Sequence, residues 1–291
     1  AGGGKTSVIV EAVREVYAAC WLLTFGKRNQ EELQRRVIFP TGAQPRTFNS
    51  LGNSALWNAG KVLEIEERRE WQRARAQVDA RYQNLPYNLA APIVRQLVTL
   101  VEYAKNTLMT ETEAQLLMVA KARGLGASGA GVEDLVEMAR GAIEEALADT
   151  GKISFTDQVW LPVVRGFAPA AVELVVVDEA QDLSPLQIAR LERAVLPGGR
   201  VVAVGDDKQA IFAWRGAAEG ALDRVVAQFG PLKHFLLPIS YRLPLSGIEL
   251  NRRLVPDIEP RPGAPEGAVI WAPPTAVVDA QPGDVVLSRI N

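Results

Sequence analysis

Glu173–Asp182, E-L-V-V-V-D-E-A-Q-D, carries an apolar run directly into two adjacent carboxylates, Asp178 and Glu179. Continuous apolar runs of this kind are typical of strands buried in a parallel sheet. In such sheets, ligands bind beyond the carboxyl ends of the strands. An Asp-Glu pair at that position can hold a metal ion and provide a general base, so the stretch predicts a nucleotide-hydrolysing α/β fold.

The start of the chain, A-G-G-G-K-T-S, supplies the complementary signal. It matches the second half of a phosphate-binding loop that opens a helix. The glycines let backbone N–H groups face the phosphates, Lys5 would reach the β and γ oxygens, and Thr6 would offer its hydroxyl to Mg²⁺. The first glycine of the full pattern would lie before residue 1, so we expect the chain to begin inside its own ATP site. The predicted nucleotide-binding residues of this loop are Gly2, Gly3, Gly4, Lys5, Thr6 and Ser7.

Length and composition limit the classes of protein that fit. The 291 residues, 48% of them hydrophobic, are enough for about two domains. No apolar run approaches the roughly 18 residues of a membrane span. The single cysteine, Cys20, excludes a disulfide framework and fits a reducing, cytoplasmic compartment. With a formal net charge of −2, nucleic-acid contacts must come from local clusters of basic residues.

Strand and helix patterns alternate at both ends of the chain, whereas the middle is helical, which predicts one α/β domain interrupted by an insertion. We expect a helix over 5–19, a strand over 20–25, a helix over 29–36 and a loop entering another helix over 47–58. Amphipathic helical patterns follow at 62–83, 89–105, 110–122 and 132–148. Strand patterns return at 174–177 and 201–204, and again near 233–237, 268–271 and 284–288.

A series of motifs follows along the chain: A-G-G-G-K-T, L-T-F-G-K-R-N, T-F-N-S-L-G, V-V-V-D-E-A-Q-D, V-G-D-D-K-Q-A-I-F-A-W-R-G-A and S-Y-R. Through these motifs the chain resembles superfamily 1 DNA helicases of the UvrD/Rep/PcrA type over nearly its whole length. The resemblance implies an α/β fold with a RecA-like P-loop NTPase parallel sheet, an all-helical inserted domain and part of a second RecA-like domain. It places the first motor domain at 1–60 and 150–230, the helical insertion at 61–149, and the start of the second motor domain at 231–291.

The acids after the buried strand receive separate roles. Asp178 would hold Mg²⁺ together with Thr6, and Glu179 would orient and deprotonate the attacking water. Gln181 and Asp182 are better suited to coupling the site to neighbouring segments, or to capping the next helix, than to chemistry.

Three further residues complete the predicted ATP site. Gln209 follows another apolar strand, and the resemblance gives its neutral amide the role of sensing the γ-phosphate. By the same resemblance, Tyr241 stacks on adenine and Arg242 reaches the γ-phosphate as an arginine finger. The predicted catalytic residues are therefore Lys5, Glu179, Gln209 and Arg242.

Aromatic residues beside these motifs predict a grip on single-stranded DNA. Phe212 and Trp214 lie shortly after Gln209, and each base stacked on an aromatic face is worth about 1–3 kcal/mol whatever the sequence. Core packing is the alternative for both rings. The resemblance gives the DNA contacts as Phe25, Phe48, Asn49, Phe212, Trp214 and Arg215. The chain departs from the family pattern where G-K-R replaces Thr-Asn-Lys after Phe25 and where Asn49 replaces a histidine.

The leading hypothesis is an ATP-dependent DNA helicase or translocase, with ATP and Mg²⁺ as cofactors and with single strands and single/double-strand junctions as DNA partners. The resemblance implies 3′-to-5′ movement. Because the family's later motifs are absent, we do not expect this stretch alone to unwind DNA. Two alternatives stay open: the motor part of a RecB/AddA-like helicase-nuclease, and a non-unwinding, ATP-gated DNA-binding protein. A small-molecule kinase would leave the aromatic segment unexplained.

Overall fold

The computed structural model describes residues 2–15, 19–36, 43–83, 85–126, 129–210, 220–230, 233–273, 275 and 281. The chain forms two compact units, a larger one at Lys5–Phe235 and a smaller one made of Ala1–Gly4 and Leu236–Asn291. In the larger unit the elements are α1 (Lys5–Arg14), β1 (Cys20–Thr24), α2 (Lys27–Arg36), β2 (Ala43–Thr47), α3 (Phe48–Asn58), β3 (Glu64–Ile65), α4 (Arg69–Tyr82), α5 (Tyr87–Thr107), α6 (Glu113–Ala122), α7 (Val132–Ala148), β4 (Lys152–Ile153), α8 (Phe155–Val164), β5 (Val172–Val177), α9 (Pro185–Glu192), β6 (Val195–Ala203) and α10 (Ala221–Phe229). In the smaller unit they are β7 (Ile239–Ser240), α11 (Leu245–Asn251) and β8 (Glu259–Pro260).

A parallel sheet of four strands, in the order β2–β1–β5–β6, forms the centre of the larger unit. Every residue of β1 is buried, and in β5 only Glu173 is exposed. Such burial is what continuous apolar strands require, because a parallel sheet is covered on both faces. The predicted α/β fold class with a parallel sheet is confirmed.

The sequence does not predict β2, because the strand contains Pro45, which cannot donate to a ladder. Pro45 pairs with Leu22 of β1, and its carbonyl accepts a hydrogen bond from Gln30 Nε2 at 2.9 Å. Thr47 ends the strand and caps α3, since its hydroxyl accepts from Ser50 N at 3.1 Å. Of the loop entering another helix that is expected over 47–58, the helix is present as α3, whereas the loop is wrong because the chain enters α3 directly from β2. The helix expected over 5–19 is shorter, and α1 ends at Arg14.

Helices α4 to α7 pack on one another and overlap the four predicted amphipathic stretches. Their shared core includes Leu97, Leu100, Leu116 and Leu135. The short parallel pair β3–β4, with Ile65 opposite Ile153, joins the two ends of this helical region. The domain boundaries at 61–149 stay a prediction. None of the helices in the described ranges is both long and apolar enough to cross a membrane.

Four charged side chains, Glu70, Arg73, Lys105 and Asp157, lie buried where α4 and α5 meet α8, and we call them the buried charge cluster. Lys105 Nζ donates to Glu70 Oε2 at 2.8 Å and to Asp157 Oδ1 at 2.7 Å, while Arg73 binds the other oxygen of Asp157. Burial alone would raise the pKa of Asp157, but the charges of Lys105 and Arg73 outweigh burial and hold that pKa below its usual value. The cluster pairs its charges, as buried ions require.

In the smaller unit, β7 and β8 form a short parallel pair beside α11. The strands predicted near 233–237 and 268–271 are wrong, because the described residues there form no ladder and Trp271 is largely exposed. Apolar periodicity does not reveal whether a partner strand is available. The strand predicted at 284–288 lies outside the described residues.

Candidate functional site

The carboxyl ends of β1, β5 and β6 meet at one edge of the sheet. Asp178 follows β5 directly, and its N–H donates to Leu23 O of β1 at 3.0 Å. On the other side, Val204 N donates to Val177 O at 2.9 Å, and Ala180 N donates to Val204 O at 2.9 Å. These bonds fix the turn at 178–182, which we call the acidic turn, between neighbouring strands. This is the edge where open parallel sheets bind ligands.

Glu179 has a left-handed backbone conformation, with φ 51° and ψ 44°. For a residue with a β-carbon this conformation costs about 1–2 kcal/mol, so surrounding contacts must hold it. The N–H of Glu179 donates to Asp178 Oδ1 at 3.0 Å, and the chain continues into a 3₁₀ turn at Ala180–Asp182. Backbone strain of this kind concentrates at functional sites.

Lys5 contacts the acidic turn, although the two lie far apart in the sequence. Its Nζ lies 2.7 Å from Glu179 Oε2, although the two residues are 174 positions apart. Lys5 is also the first residue of α1, whose N-terminus carries a partial positive charge. The structure therefore brings the lysine of the predicted phosphate loop and the predicted base together.

Asp178 is 8% exposed, and its pKa is raised above the usual value, first by burial and then by the negative charge of Glu179. The Glu179 N–H and the charge of Lys5 offset only part of this rise. A bound cation would relieve the repulsion between the adjacent carboxylates. The donors fit Mg²⁺, which is usually held by one or two carboxylates plus phosphate oxygens. Asp178 would provide the carboxylate, and Thr6 in the first turn of α1 would provide a hydroxyl.

Gln181 and Gln209 lie beside the acidic turn. Gln181 is 4% exposed; its Nε2 donates to Glu179 Oε2 at 3.0 Å, and its Oε1 accepts from Asp206 N at 2.9 Å. Gln209 ends a 3₁₀ turn at Asp207–Gln209, and its Nε2 donates to Asp206 Oδ2. Hydrogen bonds thus connect Gln209, on the loop after β6, to Glu179 through Asp206 and Gln181.

The predicted DNA contacts of the larger unit differ in exposure. The ring centroids of Phe25 and Phe48 lie 6.0 Å apart, and Phe25 is half-buried whereas Phe48 is only 2% exposed. A base cannot stack on a buried ring, so the direct contact predicted for Phe48 is corrected: its ring packs against Phe25. Asn49 Nδ2 donates to Phe155 O at 2.9 Å and to Gln158 Oε1 at 3.0 Å, which ties α3 to α8. The predicted contacts Phe212, Trp214 and Arg215 lie outside the described residues.

Phe155, the first residue of α8, lies outside the motifs that the sequence shows. Its side chain is 50% exposed, and its carbonyl accepts the hydrogen bond from Asn49. The signal for this helix start is S-F-T-D, a capping box in which Ser154 Oγ accepts from Asp157 N at 3.1 Å and Asp157 Oδ2 accepts from Ser154 N at 3.1 Å. An exposed aromatic ring beside a predicted DNA contact has the character of a base-stacking residue.

In the smaller unit, the glycine segment packs against the S-Y-R segment. Gly2 O accepts a hydrogen bond from Tyr241 N at 3.0 Å, and a β-carbon on Gly2 would lie 2.5 Å from Arg242 Cβ. Gly2 and Gly4 have φ of 75° and 74°, a conformation that favours glycine. The Tyr241 ring is exposed. The backbone conformation therefore favours glycine at both positions, and the close approach of Arg242 also requires glycine at Gly2.

Comparisons with known proteins agree on one family. The family model described as the UvrD/REP helicase N-terminal domain matches residues 1–229. The chain is 25% identical to the ATP-dependent DNA helicase Rep of Escherichia coli (strain K12), over an alignment that covers 83% of this chain and 38% of Rep. It is 24% identical to the putative ATP-dependent DNA helicase YjcD of Bacillus subtilis (strain 168), covering 83% of this chain and 34% of YjcD.

A shorter match, 29% identical over 109 residues, relates 35% of the chain to 15% of DNA helicase II of Escherichia coli (strain K12). The chain thus spans well under half the length of the curated relatives that it matches. The family model, in contrast, covers most of the chain, including the predicted phosphate loop, the acidic turn and the loop after β6. The chain belongs to the UvrD/REP helicase family, of which it carries the N-terminal domain.

Proposed function

We propose that the protein contains the ATP-hydrolysing motor part of a UvrD/Rep-type DNA helicase, which couples ATP hydrolysis to movement on single-stranded DNA. The observation that carries the proposal is the 2.7 Å contact between Lys5 Nζ and Glu179 Oε2 at the carboxyl edge of a parallel sheet. Phosphoryl transfer to water needs a cation that binds the phosphates and a carboxylate that positions the water. Lys5 and Glu179 are a pair of this kind, and the relatives Rep and YjcD are named ATP-dependent DNA helicases.

Binding of ATP would exchange the partners of Lys5. Phosphate oxygens compete with Glu179 for Lys5 Nζ, and the backbone N–H groups of the glycine loop strengthen that competition. Once Lys5 turns to the phosphates, the Glu179 carboxylate is released from this ion pair. The carboxylate can then accept the proton of the attacking water.

Charge on the transferred phosphoryl group would be stabilised from several sides. Asp178 and Thr6 would hold Mg²⁺, which neutralises charge on the β and γ oxygens when it is bound. Gln209 would contact the γ-phosphate through its amide, and Arg242 would act as the arginine finger while Tyr241 stacks on adenine. Electrostatic stabilisation of this type is usually the largest catalytic contribution.

Movement on DNA needs a grip that changes with the nucleotide. Among the described residues, Phe25, Asn49 and Phe155 support such a surface, because an aromatic ring and an amide lie at the contact of α3 with α8. The resemblance adds Phe212, Trp214 and Arg215. We propose single strands and single/double-strand junctions as the DNA partners and 3′-to-5′ as the direction of movement.

The test is the ATPase activity of the full-length protein with Glu179→Gln. The variant should keep ATP binding and lose DNA-stimulated turnover by at least about 100-fold, because the amide cannot take up the proton. Glu173→Gln is the matched control, since Glu173 is an exposed acid on β5, the strand that leads into the turn carrying Glu179. Wild-type turnover in Glu179→Gln, or an equal loss in Glu173→Gln, would contradict the assignment of the base.

A further inference from the structure

The side-chain amide of Gln181 joins the acidic turn to the loop after β6. Its Nε2 donates to Glu179 Oε2 at 3.0 Å and to Asp182 Oδ2 at 3.1 Å, and its Oε1 accepts from Asp206 N at 2.9 Å. Gln181 is buried, so these bonds are costly to break without replacement. The amide therefore holds the turn that carries Glu179 in a fixed relation to the loop at 205–209.

Lys5 and Gln181 share one oxygen of Glu179. Lys5 Nζ lies 2.7 Å and Gln181 Nε2 lies 3.0 Å from Glu179 Oε2. Two states follow from this arrangement, one in which both donors hold the oxygen and one in which Lys5 has moved to a triphosphate. In the second state the carboxylate is free to shift, and the amide hydrogen-bonded to it shifts as well. Gln181 is thus placed to respond to the nucleotide without touching it.

Gly205 keeps the loop in close contact with this amide. A β-carbon at position 205 would lie 2.8 Å from Gln181 Oε1 and 3.1 Å from Gln181 N. Gly205 is not among the glycines with positive φ, so close approach rather than backbone conformation explains the glycine. Any side chain at this position would push on Gln181.

The contact continues along the loop to Gln209. Asp206, whose N–H is held by Gln181, accepts through Oδ1 from Lys208 N at 3.1 Å and through Oδ2 from Gln209 Nε2. A shift of the Gln181 amide therefore acts on Asp206 and on the 3₁₀ turn behind it. In the sequence, this turn leads into the predicted DNA contacts Phe212 and Trp214.

We infer that Gln181 is a positioning residue that couples the state of Glu179 to the loop at 205–209, and through that loop to the binding of DNA. The inference rests on the proposed function. Coupling between two sites typically changes affinity by about 5–150-fold. Disturbing the amide should therefore separate ATP hydrolysis from DNA binding while both activities persist.

The experiment compares Gln181→Met and Gly205→Ala in the full-length protein. Turnover is measured with and without a thymidine oligonucleotide, and oligonucleotide affinity is measured with and without a non-hydrolysable ATP analogue. Gly151→Ala is the control for the glycine change, because a β-carbon there meets open space. Gln228→Met, on the exposed side of α10, is the control for the glutamine change. Melting temperatures are recorded for all variants.

Gly205→Ala should keep DNA-free turnover and the KM for ATP within about twofold, and lose at least about fivefold of the stimulation by DNA. Gln181→Met should lose more of the stimulated rate than of the DNA-free rate. In both variants the ATP analogue should no longer change oligonucleotide affinity. The double variant should be no worse than the more impaired single variant, because both changes break one contact.

Two results would overturn the inference alone: stimulation at the wild-type level in both variants, or a parallel fall of both rates together with the melting temperature. The second result would show that Gln181 only stabilises the fold and does not couple the two sites. Wild-type ATPase activity that DNA does not stimulate would instead refute the proposed function, and the inference with it.

Discussion

Lys105→Met removes one of the two cations of the buried charge cluster and leaves Glu70 and Asp157 with Arg73 as their buried cation. Lys105 Nζ binds both acids, at 2.8 Å and 2.7 Å, and also lies 5.1 Å from the centroid of the Trp160 ring. Breaking a buried ion pair by removing one partner costs about 3–5 kcal/mol, since the other charge stays buried and uncompensated. For a unit of this size each kcal/mol lowers the melting temperature by about 2–4 °C, so we expect a fall of roughly 6–20 °C.

The assay is urea unfolding together with scanning calorimetry of the full-length protein. Lys121→Met is the control, because Lys121 is an exposed lysine near the end of α6 and should change stability by less than about 0.5 kcal/mol. The double variant Lys105→Met/Glu70→Gln leaves Arg73 and Asp157 as a balanced pair and should recover part of the loss. A loss below about 1 kcal/mol in Lys105→Met, or no recovery in the double variant, would refute the reasoning.

Three further outcomes are expected. Burial would raise the pKa of Asp149, but N–H groups of Lys152 and Gly151 and the guanidinium groups of Arg69 and Arg73 hold it well below its usual value. The ionised Asp149 carboxylate therefore stabilises the fold at pH values above the pKa that this group has in the unfolded chain, and the contribution is lost as pH falls below about 4. In Asp149→Asn, the free energy of unfolding measured in urea should depend less on pH over that window. Gly52→Ala should cost about 1–3 kcal/mol in urea unfolding, because a β-carbon would collide with Gln158 O where α3 crosses α8; an unchanged midpoint would contradict that packing. Phe155→Ala should weaken oligonucleotide binding by about 1–3 kcal/mol with little loss of stability, and unchanged affinity would remove Phe155 from the DNA surface.

The sequence predicts the parts of the site that depend on short-range pattern. The apolar run before Asp178 fixes a buried strand, and the glycine-lysine start predicts a helix that begins at Lys5. The contact between Lys5 and Glu179 is seen only in the structure, and it lies at the edge of the sheet where open parallel sheets bind ligands. The burial of Phe48 does not follow from its motif, because the same residue type serves equally in a core and in a binding surface.

Other features depend on partners that are distant in the sequence. The strand at Ala43–Thr47 is not predicted because it contains Pro45. Proline is tolerated there because β2 is an edge strand and because the Pro45 carbonyl accepts a hydrogen bond from Gln30 Nε2. The charges of Arg73 and Lys105 have the pattern of a solvated helix face, and only the tertiary fold places them against Asp157. The strand predicted near 268–271 fails for the converse reason, since the described residues there have no ladder partner.

The most direct test of the central claim is a structure of the full-length protein with Mg²⁺ and a non-hydrolysable ATP analogue. We predict that Lys5 Nζ binds a β- or γ-phosphate oxygen and lies more than about 4 Å from Glu179 Oε2, beyond the distance of an ion pair. We also expect Asp178 to be a ligand of the Mg²⁺. A triphosphate bound elsewhere, with the Lys5–Glu179 contact still at 2.7 Å, would contradict the assignment of Lys5 and Glu179 to the ATP site.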